Sequence, residues 1–167
     1  MKAYKFLTSE GLGVFSGFAW PLPNGEPGAW IESAVEPCRS GVHACRTIDL
    51  PYWVAPALYE IELDGPLQEQ AVKVVARRGR LLHRIRAWST ETREAYGRMC
   101  FTRAQELVAA SDGRLDAWAP TTEIALAESA RLGFIASAIA EQLDGFDAHL
   151  SERRRHSAWL VEHLQLD

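Results

Sequence analysis

The stretch LYEIELDG, residues 58–65, has the clearest strand pattern in the chain. Glu60 and Glu62 alternate with apolar residues, so a strand here places both carboxylates on one face and the apolar side chains on the other. The turn sequence at residues 64–66 is expected to end this strand. Glu60 and Glu62 can be interpreted as a general acid and base pair or as part of the solvent-exposed face of an antiparallel sheet. The second arrangement is the commoner one.

Further strand patterns fill the N-terminal half of the chain. Residues 21–28 hold three prolines and two glycines, which predicts a loop. The arginine-rich residues 77–79 are expected to form a tight hairpin turn. Short alternating segments of this kind are typical of antiparallel sheets, and we expect them at residues 2–7, 14–20, 29–32, 42–45, 70–76 and 80–86.

The apolar period becomes helical from Ser89 onward. The pattern predicts a helix from Ser89 to about residue 111, a second over residues 121–143 and a third over residues 146–164. Cys100 falls on the apolar stripe of the first helix, so we expect it to pack in the core. Three histidines recur at seven-residue intervals in the last helix, too far apart to bind one ion, and are expected to be solvated: His149, His156 and His163.

Strands followed by helices predict a single α+β domain over residues 1–167. Its β-rich half, residues 1–88, is expected to form a mostly antiparallel sheet. The helical half, residues 89–167, is expected to cover one face of this sheet with the three C-terminal helices.

Composition limits the classes of function. The net charge is −4, with 24% charged and 47% hydrophobic residues, which is typical of an ordinary soluble domain. Short basic runs diluted by apolar residues predict no nucleic-acid partner, and no apolar run approaches the roughly 20 residues of a membrane-spanning helix. The odd count of three cysteines and the lack of an export signal at the N-terminus predict a cytoplasmic protein.

The most chemically suggestive stretch is PCRSGVHACRTID, residues 37–49. A strand following the turn at Gly41 sends His43 and Cys45 to the same face. Arg46 comes next, and a cation near a thiol favours the nucleophilic thiolate. His43 and Cys45 are therefore the candidate catalytic residues.

Two other interpretations of this stretch stay open. In the first, both cysteines are buried apolar residues and His43 bonds a backbone carbonyl. It is favoured by strand geometry, because Cβ atoms two positions apart lie roughly 6–7 Å from each other, which is too far for a direct hydrogen bond between His43 and Cys45. Cys38, His43 and Cys45 can also be considered as metal ligands. They lack a fourth ligand and the usual paired-cysteine spacing, so we predict no metal site. The sequence identifies no cofactor.

Tryptophans add a candidate pocket to this stretch. Trp20 and Trp30 flank the proline-rich loop, where they either form an aromatic wall or pack in the core, and Trp53 ends a short helix predicted from residue 47. With Arg46 they are the candidate ligand-binding residues. The leading hypothesis is a protein that binds a small molecule in an aromatic, histidine- and cysteine-lined pocket, with catalysis left open. The alternative is an interaction module whose C-terminal helix docks a partner or a second copy.

Two resemblances accompany these patterns. Residues 38–45, with the strand at 58–65 and the closing helix, resemble a group of uncharacterised bacterial and phage proteins with a C-x2-G-Φ-H-x-C core, which implies no particular activity. More loosely, the middle of the chain is similar to small ADP-ribosyltransferases. This second resemblance implies NAD chemistry, although residues 4–6 here stand where that family has a histidine-bearing strand.

Overall fold

The structure is a computed structural model that describes residues 1–35, 40–120 and 129–166. The chain divides into two compact units, Met1–Arg86 and Ala87–Asp167, close to the predicted boundary at residue 88. In the first unit the strands are β1 (Lys2–Leu7), β2 (Ile31–Glu32), β3 (Val42–Ala44), β4 (Ala57–Gln70) and β5 (Lys73–Arg84), and Thr47–Tyr52 forms a 3₁₀ helix. In the second unit the helices are α1 (Thr90–Ala109), α2 (Ser129–Asp144) and α3 (Phe146–Leu164), with a 3₁₀ turn at Asp116–Trp118.

The five strands form one sheet in which every pairing of the described residues is antiparallel. β4 pairs with β1 on one side and with β5 on the other, while β2 and β3 both pair with β5. The predicted α+β class, an antiparallel sheet followed by three helices, is confirmed. The covering of the sheet by the helices and the single domain stay predictions.

β4 and β5 are longer than the sequence pattern predicts. β4 does not end at residues 64–66, because a register shift between Asp64 and Leu67 and a positive φ of 83° at Gly65 let the strand continue through the turn sequence. The predicted turn at residues 77–79 is likewise wrong. Gly79 pairs with Leu63 inside β5, and a Cβ there would lie only 2.7 Å from a Val42 methyl group, so this glycine serves close packing.

The strand pairings close into a ring. Tyr4 of β1 and Cys45, next to β3, exchange two backbone hydrogen bonds of 2.8 Å, so the pairings run from β1 through β4, β5 and β3 back to β1. One face of these strands forms a core of buried residues: Ala3, Leu7, Val42, Ala44, Ala57, Tyr59, Ile61, Leu63, Val74, Ala76 and Leu81. The predicted strand at 14–20 is instead a turn with a single bridge between Leu12 and Ala19.

The helical unit is built on α1, α2 and α3. Ser89 caps α1 as predicted, with its Oγ accepting a hydrogen bond of 3.2 Å from the Thr92 amide. A core cluster joins the facing sides of α1 and α2: Ala104, Leu107, Val108, Ala136, Ile139 and Ala140. Cys100 is fully buried, which confirms its expected core position. Of the second predicted helix, residues 121–128 lie outside the described residues. No helix within the described ranges is both long and apolar enough to cross a membrane.

A buried polar cluster in this unit was not expected. His156, predicted to be solvated, is 0% exposed, and its Nε2 lies 3.4 Å from Oε1 of Glu152, which is also buried. Arg103 donates to both oxygens of that carboxylate at 3.1 and 3.2 Å. Burial lowers the pKa of His156, and the Glu152 carboxylate offsets only part of this effect. The folded unit therefore holds a histidine whose neutral form is favoured.

We predict that the helical unit loses stability as the pH falls from 7 to 5. Because the pKa of His156 is lower in the folded than in the unfolded chain, its contribution is present above the unfolded value of about 6.5 and is lost as the pH falls below it. His156→Gln should flatten this pH dependence while costing about 1–3 kcal/mol at pH 7. Urea unfolding followed by helical circular dichroism measures both effects. Equal pH dependence in His156→Gln and in the exposed control His163→Gln would contradict this assignment.

Candidate functional site

A cavity of about 140 Å³ lies beside the junction of β1 and β3. Its wall is formed by residues 4–6 of β1, the loop at residues 13–16, residues 43–45, and the side chains of Trp53 and Lys73. Strand alternation explains part of this wall. Val42 and Ala44 belong to the core cluster on one face, so His43 and Cys45 point to the opposite face, as predicted.

Cys45 is a buried thiol in this structure. It is 2% exposed, and its Sγ donates to the Tyr4 carbonyl oxygen at 3.2 Å. Burial raises the pKa of Cys45 to about 12, a change that the nearby Lys5 opposes only partly. The expected thiolate is therefore not favoured here. The neutral Cys45 is suited to shaping the cavity wall.

Arg46 does not activate Cys45, because its guanidinium points elsewhere. It donates to the Asp49 carboxylate at 2.7 and 3.1 Å and to Glu69 at 2.8 Å. It also reaches the Gln70 carbonyl oxygen at 3.1 Å. Arg46 thus ties the start of the 3₁₀ helix to the end of the β4–β5 hairpin, and it does not line the cavity.

His43 supplies both a carbonyl and a ring to the site. Its carbonyl oxygen accepts a hydrogen bond of 2.7 Å from the Lys5 ammonium. Its Nε2 is buried and has no hydrogen-bond partner in the described part of the chain. Burial, followed by the charges of Lys73 and Lys5, lowers the pKa of His43, so the ring is neutral near pH 7. A neutral imidazole with an unused nitrogen can donate to or accept from a ligand.

Two lysines give the cavity a positive character. Lys5 and Lys73 both contribute to its wall, and no acidic residue is found among the described residues of that wall. Neither ammonium forms an ion pair with a carboxylate within residues 1–35, 40–120 and 129–166. Burial lowers the pKa of Lys5 to about 8. The cavity therefore favours an anion over a cation.

Aromatic rings form the apolar side of the cavity. Trp53 donates its Nε1–H to the Val72 carbonyl at 2.6 Å, which fixes the indole against the β4–β5 turn. Phe15, at the tip of the loop, packs edge-on against Trp53 with 5.9 Å between ring centroids. Phe15 is nevertheless 84% exposed. Because the exposed Phe15 ring belongs to the cavity wall, the cavity has an apolar entrance.

The structure brings together three of the six predicted site residues, His43, Cys45 and Trp53. Trp20 lies apart from the cavity, packed on the sheet core with the Lys5 ammonium 4.7 Å from its ring centroid. Trp30 lies under Arg78 and Arg80 at 4.3 and 4.7 Å, and does not line the cavity either. The two tryptophans therefore do not form one wall.

Other predicted features have different partners. Glu60 pairs with Lys2 at 2.9 Å and Glu62 with Arg80 at 2.8 Å, so both carboxylates are engaged in ion pairs. Cys38 lies outside the described residues. Within the described residues, no group of three or more metal-ligating side chains is arranged to hold an ion.

Sequence reasoning missed Lys5, Lys73 and Phe15. One signal was present for Lys5, which shares strand parity with Ala3 and Leu7 and so belongs to the core face of β1. A lysine on a core face is unusual, so Lys5 could have been identified from the sequence as a candidate site residue. Nothing local in the sequence brings Lys73 or Phe15 to the same place.

We predict that Cys45 and Cys100 are both unreactive in the native protein. Burial raises the pKa of each thiol to about 12, so at pH 7 the thiolate fraction falls about 1000-fold below that of an ordinary cysteine. Iodoacetamide labelling followed by peptide mass spectrometry measures each rate. Both rates should rise to the same ordinary value in denaturant. Fast labelling of native Cys45, with Cys100 still protected, would restore the nucleophile interpretation.

Comparison of the chain with protein-family models, with curated proteins and with solved structures gives no match. The resemblances to the bacterial and phage group and to small ADP-ribosyltransferases therefore stay predictions.

Proposed function

We propose that this protein binds a small organic anion, a short carboxylate with an apolar body, in the cavity beside β3. The observation that carries the proposal is the pairing of unneutralised lysines with an aromatic wall around one cavity.

The size of the cavity sets the size of the ligand. Its volume of about 140 Å³ is close to the roughly 150 Å³ at which an apolar protein cavity accepts benzene. Pockets for drug-sized ligands and cofactors measure about 300–1,000 Å³. A whole dinucleotide is therefore too large for this space, whereas a carboxylate with a few carbon atoms fits it.

The charges and polar atoms set the chemistry of the ligand. Lys73 offers an ammonium without a carboxylate partner among the described residues, and a carboxylate ligand would supply that partner. The His43 Nε2, buried and without a hydrogen-bond partner in the described ranges, can bond a second ligand oxygen. Trp53 and Phe15 offer apolar surface to the carbon atoms of the ligand.

A second candidate is the interaction module, and two exposed rings favour it. Phe134 of α2 is 58% exposed and Phe146 of α3 is 62% exposed. Arg153, two turns after Phe146, places its guanidinium 5.7 Å from the Phe134 ring centroid, so the two rings belong to one side of the α2–α3 pair. Exposed aromatic residues are enriched in protein interfaces.

We predict that Lys73→Met weakens the binding of small carboxylates at least about fivefold, since one charge-assisted hydrogen bond contributes roughly 1–3 kcal/mol. Saturation-transfer NMR with a panel of acetate, propionate, pyruvate and benzoate measures binding. The matching neutral amides serve as the ligand control.

The variant control is Lys2→Met, which removes an exposed lysine from β1 that already pairs with Glu60. It should bind the panel like the unmodified protein. Equal loss in both variants would show nonspecific charge attraction. Amides that bind as well as the carboxylates would refute the anionic ligand.

For the interaction module, we predict that Phe134→Ser with Phe146→Ser lowers self-association if the α2–α3 side docks a second copy. Sedimentation velocity over a concentration series measures the oligomeric state. A monomer at every concentration before any substitution would remove the homodimer, and Phe15→Ser is a matched control because it removes an exposed ring from the other unit.

A further inference from the structure

Phe15 has the most exposed ring among the described residues, although it belongs to the cavity wall. The ring is 84% exposed, and the neighbouring Val14, which is also part of the wall, is 46% exposed. No charged residue occurs between Glu10 and Glu26, so the loop that carries both side chains is uncharged. The apolar surface of the cavity therefore continues outward onto this loop, and contiguous exposed apolar surface is typical of a binding site.

The backbone of the loop holds Phe15 in this exposed position. The Gly13 amide donates to the Phe18 carbonyl oxygen at 2.9 Å, and the Gly17 amide donates to the Gly13 carbonyl oxygen at 2.8 Å. Gly17 has a φ of 64°, a conformation that glycine adopts without strain. Phe15 therefore lies at the tip of a hydrogen-bonded turn, where its ring contacts Trp53 edge-on and otherwise faces solvent.

The cavity itself limits how much of a ligand it encloses. Its volume of about 140 Å³ is close to the roughly 150 Å³ at which an apolar cavity accepts benzene, so it holds about six heavy atoms. A carboxylate group takes about half of these, which leaves space for about three further carbon atoms. Any additional carbon atoms of the ligand have to leave through the entrance formed by Val14 and Phe15.

The pairing of β3 with β5 places the two polar groups that would hold the carboxylate on one face. His43 is opposite Val75, and Lys73 lies two residues before Val75 on β5. Side chains two residues apart on a strand share a face, so Lys73 lies on the same face as Val75 and its partner His43. A carboxylate between them can accept hydrogen bonds from the Lys73 ammonium and from the His43 ring.

We infer that the ligand is an unbranched fatty acid anion of about six to eight carbon atoms, whose alkyl chain begins in the cavity and ends on Val14 and Phe15. The inference rests on the proposed function and names the apolar body of its ligand. The carboxylate binds Lys73 and His43, the first carbon atoms lie against Trp53, and the rest of the chain extends over the exposed part of the wall.

The test measures the affinity of the full chain for acetate, butyrate, hexanoate and octanoate by amide-resolved NMR titration. From acetate to butyrate, each methylene enters the cavity and should tighten binding roughly fourfold, as full burial of a CH₂ group does. From butyrate to octanoate the chain is covered on one side only, so we expect a gain of roughly twofold per methylene. Octanoate should also shift the amide signals of Val14 and Phe15 more than butyrate does.

Two variants of the same loop locate the alkyl chain. Phe15→Ser removes the ring at the entrance, so it should weaken octanoate binding at least about fourfold and leave acetate binding unchanged. The matched control is Phe18→Ser, which removes a ring that is 47% exposed but does not belong to the cavity wall. This control should bind octanoate like the unmodified protein. Circular dichroism checks that both variants are folded, and the chain-length series of the unmodified protein is independent of them.

The outcomes distinguish this inference from the proposed function. Octanoate that binds no more tightly than butyrate overturns the contact of the alkyl chain with the loop and leaves the binding of small carboxylates intact. Octanoate binding that is unchanged in Phe15→Ser, or is weakened equally in Phe18→Ser, also overturns that contact. Hexanamide that binds as tightly as hexanoate overturns the anionic ligand, and absence of binding by every carboxylate overturns both proposals.

Discussion

Two backbone hydrogen bonds between Tyr4 and Cys45 are the constraint on which the first unit depends. They join the N-terminal strand to the segment carrying His43, and so close the ring of strand pairings. Among the described residues, β1 and β3 form no other strand pairing beyond this bridge. Next to the bridge, the Lys5 ammonium donates a hydrogen bond to the His43 carbonyl oxygen. The cavity lies at the same junction. Removing the bridge would separate the lysine from the histidine.

The balance of burial and charge decides the chemistry at this junction. Cys45 and Lys5 each favour the other's charged form, yet burial dominates for both. The thiol stays protonated, and the amine becomes easier to deprotonate. One apolar environment thus makes the cysteine less reactive and the lysine more reactive. The side chain with the stronger sequence signal for catalysis is therefore the less suitable nucleophile.

The fold class followed from periodicity, because alternating residues in β1 and β4 and helical spacing in α1 and α3 are local signals. The turns at residues 64–66 and 77–79 were mispredicted, since a bulge at Gly65 and close packing at Gly79 depend on strands distant in sequence. The site was only partly predictable. Local alternation was enough to place His43 beside Cys45, whereas Lys73 and Phe15 reach the cavity only through the tertiary pairing of β3 with β5 and the loop after β1.

The long β4–β5 hairpin also has a consequence for the order of folding. Its innermost pair, Gln70 with Lys73, closes a very short loop, whereas β1 must find β4 across more than fifty residues, from Lys2 to Glu62. Each doubling of loop length adds about 0.6 kcal/mol of closure entropy. β1 precedes β4 in the chain, so its apolar residues stay unpaired until residue 62 has emerged from the ribosome. During synthesis, β1 therefore passes through a period in which its unpaired edge and apolar residues are exposed to aggregation.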